Sequence, residues 1–231
     1  MLEIKNFSKK YGDKEAVSHL SFVVNDGDIM GFVGKNGAGK TTTLKACMGI
    51  ITITEGDILL DGISVVKEPI VCKRKMAYVP DTPRLEEYMT GMQYLNFVCD
   101  IYQISAKERK QNIERLIHAF QMEPHISGLI SSYSHGMKQK VALIAAFSHN
   151  PKLLVLDEPF VGLDPEAFIA LKEQMKIHNI VISRVVLNNR FHRRLGLIVI
   201  AFVLSCYLSG FNGFYCGVGC ICCWHRVRFV A

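Results

Sequence analysis

The chain has 231 residues, enough to bury a full core as one large domain or as one domain with a small subdomain. Its net charge of +6 is unevenly spread: residues 1–176 hold 17 Lys, 4 Arg and 21 acids, whereas residues 177–231 hold six Arg and no Lys, Asp or Glu. The larger part is therefore neutral, which gives no indication of a basic face for nucleic acid, so no nucleic-acid partner is expected. The opening residues Met1 to Asn6 lack the apolar run of a secretory signal. Cys47, Cys72 and Cys99, each alone in apolar or helical surroundings, read as reduced thiols.

In chain order, Leu2 to Phe7 and Ser21 to Asn25 read as strands, with turn signals at Tyr11-Gly12-Asp13 and Asn25-Asp26-Gly27-Asp28. Ile29 to Val33 reads as a buried strand and Thr41 to Ile50 as a helix. Gly56 to Gly62 holds a short strand between turns, and Met76 to Val79 is another, ended by Pro80. Thr90 to Tyr102 carries Leu95, Val98 and Ile101 at helical spacing, and Ala106 to Gln121 carries Ile113, Leu116, Ile117 and Phe120. Lys138 to His149 is a third helix, Lys152 to Leu156 a continuous apolar strand, and Pro165 to Lys176 a helix with Asp164 as its N-cap. Strands alternating with helices imply an α/β fold with a mostly parallel sheet.

Between the strand ending at Val33 and the helix starting at Thr41 lies Gly34-Lys35-Asn36-Gly37-Ala38-Gly39-Lys40-Thr41-Thr42, which fits G-x-x-x-x-G-K-[ST]. In that strand-loop-helix setting the glycines let backbone N–H groups turn inward around phosphate oxygens, and the helix N-terminus adds its positive dipole end. Lys40 is placed to reach the β/γ-phosphates and the Thr41 hydroxyl to ligate Mg²⁺. Downstream, an apolar strand ends in Asp157-Glu158, which puts Asp157 near the Mg²⁺ and Glu158 beside the γ-phosphate as general base. No N-K-x-D base-reading motif occurs, which disfavours a GTPase.

The stretch Tyr133-Ser134-His135-Gly136-Met137-Lys138 between these two motifs resembles the signature of ATP-binding-cassette (ABC) ATPases, normally L-S-G-G-Q. Gly162-Leu163-Asp164-Pro165 resembles that family's D-loop, and Tyr11 stands where its adenine-stacking aromatic stands. The resemblance runs from about Leu2 to Lys176 and is similar to the ATP-binding subunits of bacterial ABC exporters. It implies a P-loop NTPase core over residues 1–176, with an antiparallel β subdomain and a helical subdomain at about residues 82–135. It also implies ATP and Mg²⁺ as ligands, and a head-to-tail dimer with a second ATPase subunit. In that dimer Ser134, His135, Gly136 and Met137 contact the ATP held by the other subunit. A membrane subunit of the transporter would be the further partner, contacted by Tyr88 to Ile101, with the chain peripheral on the cytoplasmic face of the membrane.

Three departures stand out. His135 replaces the first signature glycine and Met137 the glutamine. Asp81 stands where the family commonly has a glutamine that senses Mg²⁺ and the attacking water; an acid there can still meet a metal, directly or through water. The family's switch histidine, in S-x-H some thirty residues after Asp157, has no counterpart: Ser183 is followed by Arg184 and Val185, and His178 and His192 stand at the wrong distance. ATP binding with impaired hydrolysis is the expectation, and a non-transport ABC ATPase the alternative.

From Leu195 to Trp224 there are thirty residues without one charge, with five cysteines: Cys206, Cys216, Cys220, Cys222 and Cys223. One reading is a membrane segment over Leu195 to Phe211, anchoring the chain. A second is a metal site, weakened by the lack of a well-placed second cysteine pair. The third, favoured because every Lys and every acid vanish together, is that residues 177–231 come from a shifted reading frame.

Overall fold

The computed structural model describes residues 1–32, 37–175, 179–183 and 227–230. Its first layer is an antiparallel sheet in the order β2-β1-β4-β5, built from β1 (Leu2–Tyr11), β2 (Lys14–Val24), β4 (Glu55–Leu60) and β5 (Ile63–Ser64). The second is a five-stranded sheet, order β6-β7-β8-β3-β9, from β3 (Ile29–Phe32), β6 (Met76–Val79), β7 (Leu153–Asp157), β8 (Asn179–Ser183) and β9 (Val227–Val230). Every pairing in that sheet is parallel. Both β8 and β9 lie beyond the composition break at Lys176, and β8 takes the centre of the sheet between β7 and β3.

The first two strands are longer than their apolar patterns suggest. In β1 and β2 register shifts near Phe7 and Lys9 interrupt the alternation, so period 2 fails as a guide over the far half of the hairpin. Helix α1 (Lys40–Cys47) stops short of the expected Ile50. Gly49 adopts φ 59, and the N–H groups of Gly49 and Ile50 donate to Ala46 O and Lys45 O, which ends the helix in a left-handed cap. The five-residue α2 (Pro69–Lys73) and two-residue β5 have too few residues to show a period.

Helices α3 (Gly91–Ile101), α4 (Ala106–Ala119), α5 (His135–Ser148) and α6 (Pro165–Met175) pack on the β6–β7 side of the parallel sheet. Thr90 starts α3 with a capping box: its hydroxyl accepts from Gln93 N, and Gln93 Oε1 accepts from Thr90 N. The buried face of α3 runs through Leu95 and Cys99, with Val98 half-buried and Ile101 left 59% exposed at the last turn. All four apolar positions read from the pattern of α4 are buried.

Strand β7 is buried along its whole length, as expected of a strand covered on both faces. Leu154 and Leu156 belong to a core with Leu95, Leu116, Phe120, Val141 and Phe147 under the helices. Leu153 and Val155 belong to a second core with Ile4, Phe7, Met30, Leu44 and Ile58, between the two sheets. One strand thus joins both halves of the molecule. Cys47, Cys72 and Cys99 are buried free thiols, and burial pushes the Cys47 thiol up to about 12, so it stays protonated.

Among the described residues no helix is long and apolar enough to cross a membrane, and no group of three His, Cys, Asp or Glu could hold a metal. The stretches behind the membrane and cysteine readings, Leu195 to Phe211 and Cys206 to Cys223, lie outside the described residues, as do His178 and His192.

Candidate functional site

The parallel sheet gathers its carboxyl ends on one edge. Phe32 of β3 pairs with Ser183 of β8, Ser183 with Asp157 of β7, and Leu156 with Val79 of β6, whose strand leads into Pro80 and Asp81. Gly34, Lys35 and Asn36 lie outside the described residues; Gly37 and Ala38 are exposed, and Gly39 is the N-cap of α1.

Gly39 has φ 83, and a Cβ built on it would lie 2.5 Å from Ala16 O and 2.6 Å from a Val17 methyl of β2. Only glycine fits there, and it brings the helix N-terminus close against the antiparallel sheet. Lys40 follows, 8% exposed, and Thr43 Oγ1 donates back to Gly39 O at 3.0 Å, bracing the first turn. No acid occupies that turn, so its positive dipole end is uncompensated by side chains of α1.

Thr41 Oγ1 donates to Asp157 Oδ2 at 3.0 Å across 116 residues of sequence. Asp157 is only 3% exposed. A hydroxyl and a buried carboxylate at the N-terminus of a helix form a hard-oxygen pair of the kind Mg²⁺ takes, and these residues fit that ion. Glu158 follows at φ 51, a left-handed turn that costs a non-glycine residue about 1 kcal/mol or more. Such strain, held in place by its surroundings, gathers at functional sites. Asp81 is exposed, and its Oδ1 accepts from Thr82 N at 2.8 Å. Tyr78 was not singled out from the sequence, yet its phenol stands in the field of this edge. Burial pushes its pKa up, and the carboxylates of Asp157 and Asp81 push it further.

Residues 134–137 pack against the loop that follows Glu158. Ser134 caps α5, its hydroxyl oxygen accepting from Met137 N at 3.2 Å, which leaves the hydroxyl proton available to another acceptor. The helix therefore begins at His135, three residues before the expected Lys138, and the expected anion-binding serine sits at its very start. A Cβ on Gly136 would lie 2.4 Å from Gly162 O, and one on Gly162 would lie 2.8 Å from His135 Cδ2. The two backbones touch.

Asp164 caps α6 as expected, accepting from Ala167 N at 2.8 Å, and its other oxygen meets Lys140 Nζ at 2.5 Å. Lys140 carried no signal in the sequence, because its partner is on another element.

Tyr11 ends β1 and is half exposed. Lys9 Nζ lies 4.9 Å from its ring centroid.

The model of the ABC transporter family matches residues 17–161. The chain belongs to the ABC transporter family. It is an ATP-binding protein of that class, whose members are ATPases that dimerise and work with membrane subunits.

The ABC-type transporter ATP-binding protein EcsA of Bacillus subtilis (strain 168) is 34% identical over 175 residues, covering 76% of this chain and 71% of the relative. The bacitracin transport ATP-binding protein BcrA of Bacillus licheniformis is 33% identical over 185 residues, covering 80% of this chain and 58% of the relative. A solved ATP-binding subunit of an ABC transporter superposes with a TM-score of 0.77 at 35% identity, covering 80% of each chain. This chain spans between 57% and 71% of the length of these and similar curated relatives.

The Lys140 ammonium, first through its hydrogen bond, holds the Asp164 carboxyl below its ordinary value. Because the folded pKa is the lower one, the unfolded chain binds the extra proton, and stability rises with pH across the window. The pair's contribution is present above about pH 4 and lost as pH falls through the folded pKa. Urea unfolding from pH 6 down to pH 3 should show that loss. Asp164→Asn should weaken the fold at pH 6, because the nearly buried ammonium is left without its carboxylate, and should remove this part of the acid dependence.

Proposed function

We propose that this chain binds ATP with Mg²⁺ on the edge formed by β3, β7 and β8, and drives a membrane partner through a head-to-tail dimer. The observation that carries the reading is the Thr41–Asp157 hydrogen bond, which joins the phosphate loop to the acid at the end of β7. Gly34 to Thr42 cradle the phosphates, with Lys40 compensating charge on the β/γ-phosphates. Thr41 and Asp157 would hold the Mg²⁺, which neutralises phosphate charge when bound. Glu158 polarises the attacking water, Asp81 orients it from the end of β6, and Tyr11 stacks on adenine.

The second subunit is a copy of this chain or a related one. Ser134 donates its hydroxyl proton to the γ-phosphate bound by that subunit, and the N-terminus of α5 adds N–H groups through Gly136. His135 and Met137 flank the same contact. The Gly136–Gly162 contact and the Lys140–Asp164 pair then tie this trans contact to the loop after Glu158. Exposed apolar side chains on and before α3, with Tyr88 76% and Phe97 43% exposed, offer the surface for the membrane subunit. In this reading the protein is peripheral on the cytoplasmic face of the membrane. Similarity to the SkfA peptide export ATP-binding protein SkfE of Bacillus subtilis (strain 168), 34% identical over 164 residues, supports export as the direction.

The family-like part reaches through β8, since Asn179–Ser183 pairs in register with both β7 and β3. We place the change of reading frame after Ser183, where the switch histidine's S-x-H should continue. The nucleotide sequence read in the other two frames tests this. An S-x-H frame running on from that point is expected, and its absence from both would overturn the frame-shift reading.

With no switch histidine, ATP binding should survive better than turnover. Removing one preorganised contact to the reacting phosphate costs about 10²–10³ in rate. Steady-state hydrolysis should then fall below about 0.1 s⁻¹ against a common enzyme value of about 10 s⁻¹. Equilibrium ATP binding on the same preparation should remain, and Lys40→Ala should abolish it. Turnover near 10 s⁻¹ would contradict the impairment, and ATP binding undiminished by Lys40→Ala would contradict the site.

A further inference from the structure

We propose that Lys9 completes the adenine site from beneath: its ammonium covers one face of the Tyr11 ring and holds that ring as a platform whose other face stacks on the base. The inference rests on the reading of Tyr11 as the base-stacking aromatic, and assigns a residue that no motif marks.

Lys9 is 9% exposed although it lies near the end of a surface hairpin, whereas Tyr11, two residues on, is 50% exposed. Lysine is seldom buried without a partner. Here the ammonium has two: the Tyr11 ring, at 4.9 Å from its centroid, and Thr52 Oγ1, to which it donates at 3.2 Å. The first distance lies inside the range over which a cation is attracted to a ring's π face. A flat ring with a cation on one face has only the other free for a flat ligand.

The position of the pair suits a nucleotide. Lys9 pairs with Val17 across the β1–β2 ladder and Tyr11 with Lys14. Val17 is also the residue whose methyl lies 2.6 Å from where a Gly39 Cβ would be. The ring therefore stands two residues, about 7 Å, along β1 from the point where the sheet touches the phosphate loop. A ribose spans that gap between base and phosphates.

Further bonds lace the same end of β1 to the segment after α1. Lys10 N donates to Thr54 Oγ1 at 3.0 Å, and Thr54 N donates to Ser8 O at 3.0 Å. The platform and the phosphate helix are thus parts of one frame. Lys9 acts as a positioning residue: it fixes the ring before the base arrives, so binding need not freeze it.

The test is equilibrium binding of ATP and of inorganic tripolyphosphate, which has the charge but no base, to the full chain and three variants. Lys9→Met keeps the apolar stem and removes the cation, Lys9→Arg keeps the cation, and Tyr11→Ala removes the platform. Lys9→Met should weaken ATP binding about three- to tenfold, the range a partly desolvated cation–π contact supplies, and leave tripolyphosphate unchanged. Lys9→Arg should restore most of the loss. Equal weakening of tripolyphosphate by Lys9→Met would overturn the proposal, since Lys9 would then serve the phosphates or the fold. ATP binding unchanged in Lys9→Met but weakened in Tyr11→Ala would overturn Lys9 alone. ATP binding unchanged in Tyr11→Ala would overturn the platform itself.

Discussion

One hydrogen bond, from the Thr41 hydroxyl to the buried Asp157 carboxylate, depends on almost everything else in the molecule. It requires β3 and β7 to run parallel in a fixed register with β8 between them, so that the loop after one and the acid ending the other meet at the same edge. It requires Gly39, whose left-handed backbone and lack of a Cβ let α1 begin against β2. A one-residue slip in either pairing would turn Asp157 to the other face of the sheet. The cost of burying a carboxylate is offset only by partners of this kind, a hydroxyl donor and the positive end of a helix.

The two cores explain how such an edge can be both rigid and coupled. Leu153 and Val155 lock β7 to the antiparallel sheet, while Leu154 and Leu156 lock it to the helices. The residue ending this doubly buried strand is the one that meets Thr41, and the next residue, Glu158, turns left-handed into the loop touching the start of α5. Charge changes at the phosphate edge and movements of α5 therefore share one short path, from Asp157 through Gly162 to Gly136. Lys140 and Asp164 brace its far end with an ion pair whose ammonium is almost out of solvent. Contacts this close have few intermediate arrangements.

The candidate site is legible in the sequence because phosphate binding, the role proposed for it, constrains consecutive residues. Gly34 to Thr42 and Asp157-Glu158 carry their pattern locally, and the apolar strand before each states its place in the sheet. Asp164 as an N-cap was legible for the same reason. What escaped notice depends on residues far apart in the chain. Lys140 shows its purpose only when Asp164 is beside it, and Lys9 only when the Tyr11 ring and Thr52 are. The sequence points to a later start for α5, since Ser134, His135 and Gly136 are poor helix formers and only the cap bond to Met137 N shows the helix beginning there. β5 and α2 are too short for any periodic signal. The loss of charges after Lys176 marks a break in composition before β8, whereas strand pairing follows apolar character, and Ile180 to Ile182 still have it.

Thr41 and Asp157 as one Mg²⁺-dependent ATP site is the claim on which the rest stands. Its direct measurement is ATP affinity by calorimetry with Mg²⁺ and with chelator, for the native chain and for Asp157→Asn. Mg²⁺ should tighten ATP binding to the native chain, and that gain should vanish in the variant while its Mg²⁺-free affinity remains. A variant that keeps the whole Mg²⁺ gain, or a native chain indifferent to Mg²⁺, would contradict the account.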